Sequence, residues 1–302
     1  MADIATGAPE YVETEERPAG LAVSWPRIGA RQVASYAVLL LGAAVSLIPF
    51  LWLISTSLMT LGEAIAGRFV PEVLHFENYI EAWTGAQFSH FMINSFLITV
   101  ITLAGELVVT ILAAYAFAKL EFPGRNLIFG VLLSSMMIPG MVTMIPNLLT
   151  VTWLGRVGPI AWIDNWPALT IPFMGSVFSI FLLRQFFAQI PDELFDAAKI
   201  DGAGHLRILL QVVLPLSLAP LMVIIVLSFI GTWNALAWPL LVTNSQAWLP
   251  ISVGLYNFVS DEGSRLQLVA AGSAITIIPI LILYFFTQKQ FTESIARSGL
   301  KG

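Results

Sequence analysis

Two stretches of this chain, residues 32–62 and 208–260, contain no Asp, Glu, Lys or Arg. No other feature narrows the choice of fold as far. A helix needs roughly 20 mainly apolar residues to cross the hydrocarbon core of a bilayer, so gaps between charges convert into candidate membrane spans. Composition agrees: 57% of the 302 residues are hydrophobic and only 11% charged, against about 25% charged in ordinary soluble domains. A soluble enzyme is excluded on this ground. So are a disordered chain, which needs low hydrophobicity, and a disulfide scaffold, since there is no cysteine.

Six spans are expected, near residues 35–57, 92–118, 126–150, 167–189, 212–236 and 267–288. The second is interrupted only by Glu106. The charge-free stretch 208–260 is long enough for two spans, and the placement of basic residues decides for one. With one span, Arg17, Arg27, Arg31, Lys119, Arg125, Arg184, Lys199, Arg207, Lys289, Arg297 and Lys301 share a side, leaving only Arg68, Arg156 and Arg265 of the 14 on the other. That asymmetry is the positive-inside signature and places both termini in the cytoplasm. Pro239, Pro250 and the Asn and Ser residues between them then read as a non-helical connection outside the membrane. The chain is thus expected to be all-α: a cytoplasmic tail over 1–34, a membrane domain over 35–290 and a second tail over 291–302. No cleavable leader is read in the first 30 residues, whose Glu10, Glu13, Glu15 and Glu16 make them acidic rather than basic. No basic face offers itself to nucleic acid.

Catalytic signatures fail one by one. No lysine sits in a glycine-rich phosphate loop, so ATP cannot be bound in that manner. His75, His90 and His205 are too scattered for a zinc site. Ser176 and Ser273 follow glycines, but no histidine falls inside an expected span to act as their base. No catalytic residue, metal or cofactor is therefore expected.

The most informative stretch is 190–217, between the fourth and fifth spans. Helix connections in bundles usually take about 2 to 8 residues, and this one carries its own helix punctuation. Pro191 and Asp192 supply a start, with Asp192 as N-cap and Glu193 placed against the positive end of the dipole. Gly202 and Gly204 supply the stop. Leu194, Phe195, Ala197, Ala198 and Ile200 give the short helix more apolar surface than a solvated connector needs. The reading is a helix seated in another protein's groove, with Phe195 flanked by small alanines; a helix lying on the membrane surface is the alternative.

The segment resembles the signature of ATP-binding-cassette importer permeases: Glu-Ala-Ala, three residues, Gly, nine residues, Ile-x-Leu-Pro. Here it stands as Asp196-Ala197-Ala198, residues 199–201, Gly202, residues 203–211, then Val212-Val213-Leu214-Pro215, with Asp196 for the usual Glu and Val212 for Ile. Further residues resemble the carbohydrate importers, and among them the maltose-permease G-type subunits. These are Ala114-Tyr115-Ala116-Phe117-Ala118, Phe122-Pro123-Gly124-Arg125, Ile190-Pro191, Asp201-Gly202-Ala203, Trp233-Asn234, Trp238-Pro239 and Gly299-Leu300-Lys301-Gly302. The resemblance covers nearly everything after residue 35. It implies a type I importer permease fold in a prokaryotic plasma membrane, with a coupling loop over 190–211. It implies as partners a second permease subunit, an ATPase dimer carrying out the hydrolysis, and an extracytoplasmic binding protein that delivers a sugar or sugar derivative. Asp196 would pair with a basic ATPase residue, Ala197 and Ala198 would permit close approach, and Gly202 would allow the turn, with Leu214 and Pro215 closing the motif. The last residues, 293–302, would contact the ATPase dimer.

For the substrate, Trp233, Asn234 and Trp238 near the outer end of the fifth span offer aromatic faces beside an amide, which suits a sugar ring; aromatic residues also gather at membrane interfaces. Glu106 must face protein or water, because a charge in mid-span costs about 2.5–3.5 kcal/mol on insertion scales. A hydrogen bond to a neighbouring helix or permease accounts for it. The rival reading is an ATPase-independent secondary transporter using Glu106 as an ion or proton site.

Overall fold

A computed structural model describes residues 29–85, 87–262 and 265–299, with side chains 30, 31, 260–262 and 289–299 outside the description. The acidic tail over 1–28 and the closing Leu300-Lys301-Gly302 lie outside the described residues. All the regular structure described is helical. In chain order the helices are α1 (Ala30–Ser57), α2 (Leu61–Ile65), α3 (Glu77–Gly85), α4 (Phe88–Lys119), α5 (Arg125–Ser135), α6 (Gly140–Val157), α7 (Trp166–Thr170) and α8 (Val177–Ala188). They continue with α9 (Asp192–Ile200), α10 (His205–Ile208), a π-helical turn Leu209–Val213, α11 (Leu214–Leu216), α12 (Leu218–Trp233), α13 (Ala237–Val242), α14 (Ile251–Glu262) and α15 (Leu266–Gly299).

Four stretches are long and apolar enough to cross a bilayer: Gln32–Ser57, Phe88–Lys119, Trp166–Ala188 and Leu266–Gln288. Two more become spans when bent pairs are counted as one, giving six. Two of the six expected spans are bent. The third is α5 and α6 meeting at 102° across residues 136–139, and the fifth is His205–Leu216 and Leu218–Trp233 meeting at 81° at Ser217. Proline explains both: Pro139 precedes α6, and Pro215 has no N–H to give the carbonyl a turn below, beside the π-helical turn. The region after the fifth span also differs from the expected non-helical connection. Pro239 lies in the first turn of α13 and Pro250 just before α14, positions where a helix tolerates proline. The last helix runs through the expected boundary at 290 to Gly299.

By internal packing the chain falls into two units, Met1–Ile48 and Pro49–Gly302. The first holds most of α1, whose side chains over 32–48 are exposed. The second is built around α4, an unbroken helix without proline. Its N-terminal end sends Phe88 and Phe91 into a core with Phe229, Trp233, Ile251 and Leu268. Its middle packs Ile98 against Leu169, Trp238 and Val242, and its C-terminal end packs Tyr115 with Leu183, Phe187 and Phe195.

Glu106 is 4% exposed and tied within the chain: its Oε1 accepts from Ser179 Oγ on α8 at 2.7 Å and Ser228 Oγ on α12 at 2.9 Å. One carboxylate oxygen thus joins three helices. In the connection between α6 and α7, Asp164 adopts a left-handed backbone (φ 59°) that lets its N–H donate to Val242 O at 2.7 Å. Its carboxylate accepts from the Asn244 and Ser245 amides at 2.9 Å. Burial alone would raise its pKa, but the hydrogen bonds from Ser245 and Asn244 prevail and lower it.

Glu106→Gln keeps an acceptor oxygen and should preserve both folding and transport. Glu106→Leu leaves the Ser179 and Ser228 hydroxyls without it and should lower stability by about 1–3 kcal/mol, read as an earlier thermal midpoint of the purified protein in detergent. Gly254 offers a second check, because a Cβ there would enter the Phe91 ring. Gly254→Ala should cost about 1–3 kcal/mol, and pairing it with Phe91→Leu should cost less than the sum of the single changes, measured the same way.

Candidate functional site

The 190–217 segment folds as its punctuation requires, with one change at the start. Pro191 holds the N-cap position and Asp192 is the first helical residue, so the expected capping role of Asp192 is corrected. Its carboxylate instead accepts from Lys119 Nζ at 2.7 Å. Asp192 and Glu193 in the first turn and Lys199 in the last still complement the helix dipole. The stop is a Schellman motif: Gly202, at φ 76°, donates to Lys199 O at 2.9 Å and Ala203 donates to Ala198 O at 2.9 Å. Gly204 is extended and opens α10 rather than closing α9.

Phe195 does not face outward, contrary to the expectation of a residue offered to a partner's groove. It is 5% exposed and packs with Tyr115, Leu183 and Phe187. The periodicity of a nine-residue helix marks an apolar face but not which neighbour covers it. What remains open is the opposite face: Leu194, Asp196, Ala197 and Ile200, the last 85% exposed, followed by Leu206. Ala198 is half-buried against the core. Among the described residues Asp196 is paired along its own helix, to Lys199 at 3.1 Å, and both stay largely exposed. Leu214 is half-buried, packed beside the π-helical turn, and Pro215 is exposed.

The residue that sequence reasoning missed is Lys119, the last of α4. Its side chain is 11% exposed and points into the start of α9. Nζ donates to Ile190 O at 2.9 Å and to Asp192 Oδ1, and lies 4.3 Å from the centroid of the Phe195 ring. The hydrogen bond from Lys119, reinforced by its charge, holds the Asp192 carboxyl below the usual carboxylate range. One turn earlier, Tyr115 Oη pairs with His205 Nδ1 at 3.2 Å. The only sequence signal was a basic residue closing a long apolar helix; the partner lies 73 residues away.

At the other end of the molecule the expected substrate residues divide. Trp233 is 3% exposed, stacked on Phe229, with Nε1 donating to Thr276 O at 3.1 Å. Trp238 is 7% exposed and its Nε1 donates to Ala168 O at 2.9 Å. Neither presents a free aromatic platform beside the amide. Both bury because an indole with its N–H satisfied by a carbonyl is a large apolar body. Asn234 is exposed, its amide donating to Ile230 O at 3.0 Å. A cleft of about 420 Å3 opens nearby, with Phe91 and Phe258 in its wall and Asn244, Ser245, Gln246 and Asn257 around it. Its lining carries no charged side chain among the described residues.

Residues 106–294 match the family described as binding-protein-dependent transport system inner membrane component. Among curated relatives, the trehalose transport system permease protein SugB of Mycobacterium tuberculosis is 33% identical, over 91% of this chain and 100% of that protein. The diacetylchitobiose uptake system permease protein NgcG of Streptomyces coelicolor is 28% identical over 88% of each chain. The sn-glycerol-3-phosphate transport system permease protein UgpE of Yersinia pestis is 34% identical over 70% of this chain and 74% of its own. Among solved structures, a chain of a bacterial ABC transporter involved in the import of the acidic polysaccharide alginate superposes with a TM-score of 0.74 at 26% identity, covering 85% of this chain and 95% of that one. A matched family model over most of the chain, a full-length relative and a shared helical fold agree, and with no other reading left standing the chain belongs to the binding-protein-dependent transport system inner membrane component family, as a multi-pass permease subunit of an ABC importer.

Proposed function

We propose that this permease pairs with a second permease to form the pathway for a neutral sugar or oligosaccharide, delivered by an extracytoplasmic binding protein and driven by ATP hydrolysis on separate ATPase subunits. The observation that carries the ATPase contact is the divided helix α9. Phe195 and Lys119 fix its inner face to the chain, while Leu194, Asp196, Ala197 and Ile200 are left open, with no partner among the described residues beyond Lys199. In this reading Asp196 meets a basic ATPase residue, Ala197 lets the surfaces close, and Ala198 and Gly202 shape the helix and its exit. Leu214 and Pro215 lie just before the bend of the fifth span. Both termini and α9 lie on the cytoplasmic side, as the distribution of Lys and Arg supports.

The sugar class draws on the trehalose and diacetylchitobiose systems among the relatives. The lining of the outer cleft favours a neutral solute over a phosphate or uronate, since it offers amides, hydroxyls and aromatic walls but no cation. Asn234, exposed at the end of α12, remains the member of the tryptophan–asparagine group available to solute.

Purification of the tagged complex in mild detergent tests the reading. The wild-type chain should bring down a second permease and an ATPase, and ATP hydrolysis should rise with a binding protein loaded with neutral saccharide. Asp196→Lys should reduce recovery of the ATPase about tenfold or more while the second permease is retained. Recovery of the chain alone, still moving solute into ATP-free liposomes, would reject the proposal.

A further inference from the structure

Carboxylates meet Arg68, Lys119, Lys199 and Arg265, and Arg156 and Arg207 are exposed to solvent. Arg125 and Arg184 differ from all of these. Both are half-buried, and neither forms an ion pair among the described residues. A cation drawn out of water without a counter-charge is unfavourable, so a place where two of them meet calls for an anion.

The fold brings the two together where α4, α5 and α8 pack on one another. Arg125 Nη1 donates to Leu120 O at 3.0 Å and Arg184 Nε to Phe117 O at 3.4 Å. Both carbonyls lie at the C-terminal end of α4, the negative end of its dipole. The Arg184 guanidinium sits 4.4 Å from the centroid of the Phe129 ring, and Phe129 follows Arg125 by one turn on α5, on the same side of the helix. Phe129 packs in turn on Phe117 and Phe181, with ring centroids 5.3 and 6.5 Å away.

These contacts leave most of each guanidinium unused, since it carries five N–H donors and gives one to α4. The planar fork that remains matches the oxygens of a phosphate. Arg125 borders a shallow recess with Asn126 and the exposed Glu121, to which it is not paired. Leu127 and Ile128, next along α5, are exposed and put an apolar edge beside the basic one. A soluble anion makes no use of that edge, whereas an anion with an apolar tail uses both. On the cytoplasmic side the membrane supplies such molecules, and basic pockets between membrane helices hold their headgroups. We propose that Arg125 and Arg184 bind the phosphate headgroup of an anionic phospholipid of the cytoplasmic leaflet, with an acyl chain lying over Leu127 and Ile128. The proposal rests on the cytoplasmic placement of this end of α4 in the reading above.

The chain contains no cysteine, so a bimane label on Leu127→Cys marks the edge of the site. The assembled complex is placed in nanodiscs containing phosphatidylglycerol or phosphatidylcholine with a nitroxide on the acyl chain, at equal mole fraction. Signal from partner subunits is measured on the complex without Leu127→Cys and subtracted. Quenching should report association about tenfold stronger for phosphatidylglycerol. Arg125→Gln with Arg184→Gln should remove the preference, and Arg156→Gln with Arg207→Gln, the same change of charge elsewhere, should keep it. Equal quenching by the two lipids in the chain with both arginines overturns the proposal, whether or not the double variant folds. So does a preference that survives Arg125→Gln with Arg184→Gln, or one lost equally in the Arg156 and Arg207 control. Loss of the preference on adding millimolar inorganic phosphate makes the site one for free phosphate, and a preference that emerges only once the ATPase is stripped away makes it an ATPase contact; either result overturns the lipid assignment. The placement fails separately: labelling of Asn126→Cys by an impermeant maleimide from outside intact cells rejects the cytoplasmic side, whereas labelling only after lysis with no lipid preference rejects the lipid site alone.

Discussion

The structure depends on one helix staying whole. Each of the four buried clusters of the 49–302 unit contains a residue of α4: Phe88 and Phe91, Tyr115, Ile98, and Phe117. Such a helix is favoured in lipid because it satisfies its own backbone internally. It can then devote its side chains to neighbours. Where it meets α8, Gly105 leaves space that the Met174 side chain fills. Glu106 follows directly and reaches Ser179 and Ser228 across that contact. A carboxylate in this position would be costly alone. Held by two hydroxyls, it fixes how α4, α8 and α12 sit around one another.

The C-terminal end of α4 shows the same economy with a cation. A lysine 11% exposed needs its donors met, since burying an unpaired charge costs several kcal/mol. Ile190 O and Asp192 meet two, and the Phe195 ring faces the ammonium. All three groups come from the start of α9. The charge thereby specifies where that short helix docks, which its own nine residues could not do. Arg184 does similar work beside it, its guanidinium 4.4 Å from the Phe129 ring.

Much of this was legible in the sequence, and the boundary of legibility has a physical cause. The spans could be read because lipid forbids unpaired charges along 20-residue stretches, a rule that uses no tertiary information. The limits of α9 could be read because Pro191 and Gly202 act locally on the backbone. The directions of Phe195, Trp233 and Trp238 could not, because an aromatic side chain at helical spacing fits a core, an interface or a ligand equally well. Nor could α13 and α14, whose prolines suggested a loop while lying at helix starts, where they do no harm. Lys119 was counted for its charge and side of the membrane, yet its partner is fixed only by the fold.

The broken third span completes the argument about how the chain must be used. Residues 136–139 interrupt a helix pair between Arg125 and Arg156, where the carbonyls of Leu133, Ser134 and Ser135 are taken up by the amides of Met136, Met137 and Ile138, but the first amides of α6, behind Pro139 with no side-chain cap, have no turn before them to donate to. Lipid cannot hydrogen-bond them, so non-helical backbone at that depth is tolerated only against protein or a water-filled cavity. Met137 is 84% exposed and Ile138 52% exposed in this chain. A protein surface or water rather than lipid has to meet that break, whereas the break of the fifth span at Ser217 is closed within the core. The unbroken α4, packed against both bent spans, holds them in place.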